Sequence, residues 1–198
     1  MKNKIVIIVL IVVVVVAAIL IGYRFFPKNN QTAEGNNQPT DGQSQNKLVT
    51  DDFELVLPAG WQQTTAPVGA SAMAVNNNEN LNDAAAQKIN FKTYVAVSYD
   101  TLQGKTLNEY LQGIEDQLKQ AIPGVVFSEK NNATINSRPA LGVEANLAQQ
   151  GVNFRLLMVA VKGDNDDVWV MSFNTLQASW MEYQGTFSDI ANSFKLKI

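Results

Sequence analysis

The chain opens on seventeen consecutive apolar residues, Ile5 to Ile21, all of them Ile, Val, Leu or Ala. At about 1.5 Å of rise per helical residue this run spans roughly 26 Å, and Gly22 to Phe26 lengthen it to the hydrocarbon thickness of a bilayer. A cleavable secretory signal has a shorter apolar core, about 7–15 residues, that ends at small residues. This run instead leaves through the bulky Tyr23, Arg24, Phe25 and Phe26, which suit the headgroup belt. The pattern predicts residues 1–4 as a cytoplasmic tip and 5–26 as an uncleaved transmembrane signal anchor. Long polar chains translocate largely regardless of flanking charge, so the remainder is expected outside the membrane, at the cell envelope.

From Pro27 to Lys47 the apolar signal stops. Asn, Gln, Gly, Thr and Ser dominate, with two prolines, and Ala33 is the only aliphatic side chain. Such a segment buries too little apolar surface to offset chain entropy, so a disordered linker is expected over 27–47. As a flexible coil its ends would lie roughly 25 Å apart. Residues 48–198 are then enough for one domain with its own core.

Inside that domain the period alternates between two and three to four. Phe53 to Leu57 alternates and is closed by Pro58-Ala59-Gly60, a strand running into a turn with Trp61 beyond it. Ser71 to Val75 reads as a short strand, Asn76 to Asn82 as a loop, and Asp83 to Lys88 as a helical turn or two. Phe91 to Tyr99 reads as a strand with Phe91, Val95, Val97 and Tyr99 on one face. Thr106 and Glu109 have the spacing of a capping box, and Leu107, Tyr110, Leu111, Ile114, Leu118 and Ile122 form one helical stripe that Pro123-Gly124 ends. Asn108, Glu115, Asp116 and Lys119 fall on the opposite, solvated face.

Strands follow over Val125–Glu129, Ala133–Asn136, Ala140–Ala148, Val152–Val161 and Val168–Phe173, joined by tight turns that force antiparallel neighbours. Leu156 to Val161 and Val168 to Met171 are apolar on both faces, whereas a sheet with one wet face would alternate. Covers are available in the 107–122 helix and in a C-terminal one carrying Trp180, Tyr183, Phe187, Ile190, Ala191 and Phe194. The expected fold is α+β: a three-layer α-β-α sandwich with a mostly antiparallel sheet flanked by helices, preceded by one transmembrane helix.

Composition narrows the chemistry. The chain has no Cys and no His, which removes disulfides, thiolate metal sites, a thiol nucleophile and the usual general base. From residue 48 onward ten basic residues face sixteen acidic ones, a net charge of −6, the opposite of what a nucleic-acid binder shows.

The remaining motifs read as structure. Gly104-Lys105-Thr106 imitates the end of a phosphate-binding loop, but Tyr99 stands where the leading glycine belongs, and Thr106 is explained as a cap. Ser44 and Lys47 match S-x-x-K by spacing alone, inside the linker. Asp164, Asp166 and Asp167 cluster at a hairpin tip and are the sharpest candidate for a cation, although Asp and Asn are also what tight turns favour. Asn30 and Asn132 begin glycosylation-type triplets. Glu115 and Asp116 are the candidate carboxylate pair for a hydrolase. Trp61, Trp169 and Trp180 read as core anchors.

Three stretches together resemble a known family. Phe53-x-Leu55-x-Leu57-Pro58-x-Gly60-Trp61 resembles the opening strand and turn of the PsbP-like domains, named for an extrinsic photosystem II subunit and including DcrB-like bacterial proteins. Ile135-Asn136-Ser137-Arg138-Pro139-Ala140 is similar to the turn before that family's central meander, and Asp189 to Leu196 to its closing helix and last short strand. The resemblance spans roughly residues 50 to 198. It implies the α-β-α sandwich in a secreted or membrane-tethered protein, usually without catalysis.

The expected function is therefore a membrane-anchored, extracytoplasmic module that binds or scaffolds an envelope partner, with no catalytic, cofactor or metal residues and no nucleic acid. A small-ligand or divalent-cation binding protein is the alternative, and a carboxylate-dependent hydrolase the next.

Overall fold

The computed structural model describes residues 46–197. The expected anchor at 5–26 and residues 27–45 of the expected linker lie outside the described residues. Within them no helix is long and apolar enough to cross a membrane.

Two antiparallel sheets carry the domain. The larger has eight strands: β3 (Trp61–Thr64), β4 (Ala72–Asn76), β5 (Tyr94–Thr101), β10 (Asp167–Leu176), β9 (Val152–Lys162), β8 (Arg138–Gln149) and β6 (Val126–Phe127) in that spatial order, with β7 (Asn131–Ile135) also paired to β8. The smaller joins β1 (Lys47–Val49), β2 (Phe53–Val56) and β11 (Lys195–Leu196), so the first and last described strands flank β2 on its two sides. Among the described residues three α-helices complete the domain: α1 (Ala84–Lys88), α2 (Leu107–Ala121) and α3 (Trp180–Asn192), the last preceded by a 3₁₀ turn over Gln177–Ser179.

Both faces of the large sheet are buried along its central strands. Tyr94, Ala96, Val143, Leu156, Met158 and Val170 point to one core, which Leu111, Ile114 and Leu118 of α2 close. Val95, Val97, Val161, Trp169 and Phe173, the alternate residues of the same strands, point to a second core. The expected helix α3 closes that side through Trp180, Tyr183, Phe187 and Ile190, but it shares the cover with the small sheet, whose Leu48, Phe53 and Leu55 are fully buried. This accounts for the continuous apolar runs: β10, and β9 from Met158 to Val161, have no wet face to make polar.

Local rules set the boundaries. Thr106 and Glu109 form a reciprocal capping box, with Glu109 N donating to Thr106 Oγ1 at 3.2 Å and Thr106 N to Glu109 Oε2 at 2.9 Å. Gln150 and Gly151 both take positive φ, +52° and +80°, the conformation a two-residue hairpin needs to match strand twist, and they lock Gln149 opposite Val152.

Several expectations shift. The β7–β8 turn is Asn136-Ser137, both at positive φ, so Arg138 and Pro139 already belong to β8 rather than to the turn. The strand expected over Val125–Glu129 shrinks to Val126–Phe127, and β10 runs on to Leu176. Phe91 precedes β5 and packs in the α2-side core, opposite to Val95 and Val97. Lys47, expected at the end of the linker, is the first residue of β1. Trp61–Thr64 forms an edge strand that polar Gln62 and Gln63 had concealed.

Candidate functional site

The carboxylates come first, because without His or Cys they are the natural acids and bases here. The acidic hairpin tip is engaged from within the chain. Asp164 Oδ1 pairs with Arg138 at 2.9 Å, Asp167 Oδ1 accepts from the Tyr99 hydroxyl at 2.7 Å, and Asp166 accepts from Gln103 N at 2.7 Å and Gly104 N at 3.2 Å. Asp166 therefore fills the backbone amides beside Gly104-Lys105-Thr106, where a phosphate would have to sit. Among the described residues no group of three or more Asp or Glu is arranged to hold a metal ion.

Glu115 corrects the expectation of a solvated helix face: it is only 5% exposed. Lys130, from the segment before β7, reaches it at 2.7 Å and also donates to Gln112 at 2.8 Å, tying that loop to α2. Asp116 points to solvent and accepts from Gln112 at 2.9 Å. Neighbouring helix positions do not face each other, and these two carboxyl groups form no catalytic pair. Asp100, also buried, accepts from the Tyr110 hydroxyl at 3.2 Å; burial, then the Asp100 charge, raises the Tyr110 pKa well above its ordinary value.

The three Trp residues are buried, as expected of anchors. Trp169 packs against Phe53, Tyr99 and Phe194, while Arg155 lies over the Trp180 ring at 4.4 Å and pairs with Glu144. Asn132 is exposed on β7, while Asn30 and Ser44 lie outside the described residues.

What sequence reasoning left as plain loop borders a surface cleft. Asn76 to Asp83 folds over the end of the sheet and faces the 3₁₀ turn and first turn of α3, leaving an open cleft of about 680 Å³. Its floor is polar and tightly held. Glu79, 8% exposed, accepts from Thr93 N at 2.6 Å and from Thr93 Oγ1 at 2.7 Å, and Thr93 Oγ1 lies 2.9 Å from Thr175 Oγ1. Asn76 Nδ2 donates to the Tyr183 hydroxyl at 2.9 Å, and burial together with the Glu79 charge pushes that phenol up to about 12. Asp83 Oδ1 caps α1 by accepting from Ala85 N and Ala86 N, both at 2.8 Å. At the rim Asn78, Asn80, Asn82 and Glu182 are exposed. Gly60, at φ +85°, passes so close that a Cβ there would sit 2.5 Å from Asn78 Nδ2, so the turn after β2 buttresses the loop. The sequence signal for the cleft was the run Asn76-Asn77-Asn78-Glu79-Asn80, but composition alone does not separate a binding loop from a connecting one.

No family model matches the chain, and no curated protein matches it in sequence. Solved structures match its fold. Cyanobacterial PsbP (CyanoP) from Synechocystis sp. PCC 6803 superposes with a TM-score of 0.56 at 14% identity, covering 82% of this chain and 98% of that one. LpqN, involved in cell envelope biogenesis of Mycobacterium tuberculosis, gives 0.55 at 17% identity, with 80% and 88% covered. The Saccharomyces cerevisiae Ran-binding protein Mog1p gives 0.52 at 13% identity, with 77% and 96% covered. At these identities the likeness speaks for architecture. The domain has the PsbP-like fold, with its mostly antiparallel sheet and few helices.

Proposed function

We propose that this protein is a membrane-anchored, extracytoplasmic binding module that holds an envelope partner and performs no reaction. The observation that carries the reading is how the buried carboxylates are spent. Glu79, Asp100 and Glu115 are each closed off by partners inside the fold, whereas the exposed rim of the Asn76–Asp83 cleft keeps unspent amides and carboxylates. A general acid or base must reach its substrate, and these three do not. A rim of open polar groups around a fixed floor is suited to recognition.

Support for the envelope comes from the long apolar run at Ile5 to Ile21 and from LpqN, a fold neighbour involved in envelope biogenesis in its own organism. The smaller alternative, a small-ligand binding protein, draws on the same cleft. Photocrosslinking of the full-length chain in its native membrane, with the probe at Asn80, tests the proposal. A discrete crosslinked envelope component is the expected result. Robust crosslinks to cytoplasmic proteins alone, or turnover of a substrate that depends on Glu115 or Asp116, would overturn it.

A further inference from the structure

We propose that the open edge of β3 pairs with β3 of a second copy of this chain, antiparallel, so that the two large sheets join into one. This rests on the reading of the protein as membrane-anchored. Gly60 O accepts from Asn77 N at 2.9 Å, while Trp61 O accepts from Asn46 Nδ2 at 2.7 Å, on the side away from β4. Main-chain direction alternates along a strand, so residues 61 and 63 turn their N–H and C=O outward. Trp61 is already used, since its N–H also donates to Pro58 O at 3.3 Å. Gln63 is the first residue whose outward N–H and C=O have no partner among the described residues. The side chains of Gln62, Gln63 and Thr64 are exposed. The other sheet edges are guarded. Lys47 stands on β1 and Lys195 on β11, and Ser128 to Lys130 interrupt the β6–β7 edge, where the register on β8 shifts by one residue. β3 carries neither a charge nor a bulge.

The occupant follows from charge and from where the chain leads. From residue 48 on the net charge is −6, so two copies repel wherever their acidic surfaces meet. Leu55 to Asn78 contains no charged residue, and β3 with the turns on either side of it lies inside that stretch. A second copy meets no like charge there. Two identical antiparallel strands in one sheet are related by a two-fold axis perpendicular to it. Both copies then carry the small sheet, and Asn46 where the described chain begins, on the same face. The two N-terminal segments leave toward one bilayer. The pairing is short, and the shared membrane supplies the effective concentration it needs. Centred on Gln63, the two Gln63 residues exchange both N–H···O bonds with Cα atoms about 5.5 Å apart, and Gln62 of each copy faces Thr64 of the other.

The test uses the full chain in its native membrane, where the absence of cysteine leaves introduced thiols without background. Oxidation of Gln63→Cys should give a disulfide-linked dimer, because that Cα spacing lies in the disulfide range. Gln62→Cys should give little, its two copies standing roughly 8 Å apart in this register, and Gln120→Cys on the exposed side of α2 should give none. Adding Gln62→Lys and Thr64→Lys sets like charges opposite each other and should cut the Gln63→Cys dimer about tenfold. Mixing those chains with differently tagged ones carrying Gln62→Glu and Thr64→Glu should restore it as a heterodimer. The proposal is overturned by no Gln63→Cys dimer, by equal dimer from Gln62→Cys or Gln120→Cys, by no recovery on mixing, or by a disulfide from Gln63→Cys to a different protein in place of the dimer. If the dimer is absent while the chain stays with the membrane and Asn80 still crosslinks to an envelope component, the self-pairing falls and the binding-module reading stands. A chain found free in the soluble fraction sinks the anchor reading and this proposal with it.

Discussion

Trp169→Ala is the sharpest test of how the second core is closed. Trp169 lies on β10, flanked by β5 and β9, and is 6% exposed. Its ring meets Phe53 of β2 edge-on at 5.3 Å, Tyr99 of β5 at 5.1 Å and Phe194 after α3 at 6.2 Å. An aromatic side chain buried to this extent hides about 150–250 Å², worth about 4–6 kcal/mol at about 25 cal/mol per Å² as an upper bound. Partners from three separate segments cannot all move inward to fill the gap. The loss should therefore fall at about 3–5 kcal/mol, a large part of the roughly 5–15 kcal/mol that stabilises a typical domain. Urea unfolding of a fragment spanning 46–198, followed by far-UV circular dichroism, measures it. Met181→Ala, on the exposed face of α3, is the control and should stay within about 0.5 kcal/mol. A loss below about 1 kcal/mol for Trp169→Ala would mean that the small sheet and α3 do not seal that face.

Three further outcomes follow from the polar groups. Lys130→Met strands the Glu115 carboxylate under α2 and should cost about 3 kcal/mol in urea unfolding, whereas Lys130→Met with Glu115→Leu should recover most of the loss; equal loss in both variants would argue against the ion pair. Millimolar Ca²⁺ should leave the melting temperature unchanged beyond general salt effects, because Asp164, Asp166 and Asp167 are already engaged; a rise approaching the equivalent of about 2.7 kcal/mol, lost in Asp164→Asn with Asp166→Asn, would contradict this. The Tyr183 phenol is raised from 10.0 to about 12, so the unfolded chain gives up that proton first. Its contribution is then whole below pH 10 and is lost between pH 10 and about 12, and Tyr183→Phe should lessen the alkaline fall in stability, read by urea unfolding against pH; an unchanged fall would count against the assigned burial.

Strands with two apolar faces were legible because burial on both sides leaves no room for polar alternation, and β9 and β10 sit where that pattern placed them. The capping box at Thr106 and Glu109 was equally legible, being a purely local exchange of hydrogen bonds. Glu115 was not. Its charge suggested the solvated face, yet it stands four residues after Leu111 and three before Leu118, on the border of the buried stripe, and Lys130, fifteen residues later, makes that burial tolerable. The small sheet was hidden for a related reason: β1 and β11 are three and two residues long, and their pairing with β2 joins the two ends of the domain. The Asn76–Asp83 cleft became visible once Thr93, Thr175 and Tyr183, distant in sequence, were found beneath the loop.

In the proposed function the folded domain is displayed outside a membrane that holds its N-terminus. The chain has no cysteine, so one introduced thiol reports without background. Val68 lies in the loop between β3 and β4 and is 91% exposed, so Val68→Cys should leave the fold intact. The measurement is labelling of Val68→Cys in intact cells, or in spheroplasts where an outer layer blocks access, with a membrane-impermeant maleimide, read in the membrane fraction. Labelling in intact cells equal to that after lysis is expected, on a full-length chain that stays with the membrane. Labelling only after lysis would contradict it, as would a labelled chain shortened to near residue 23 and free in the soluble fraction.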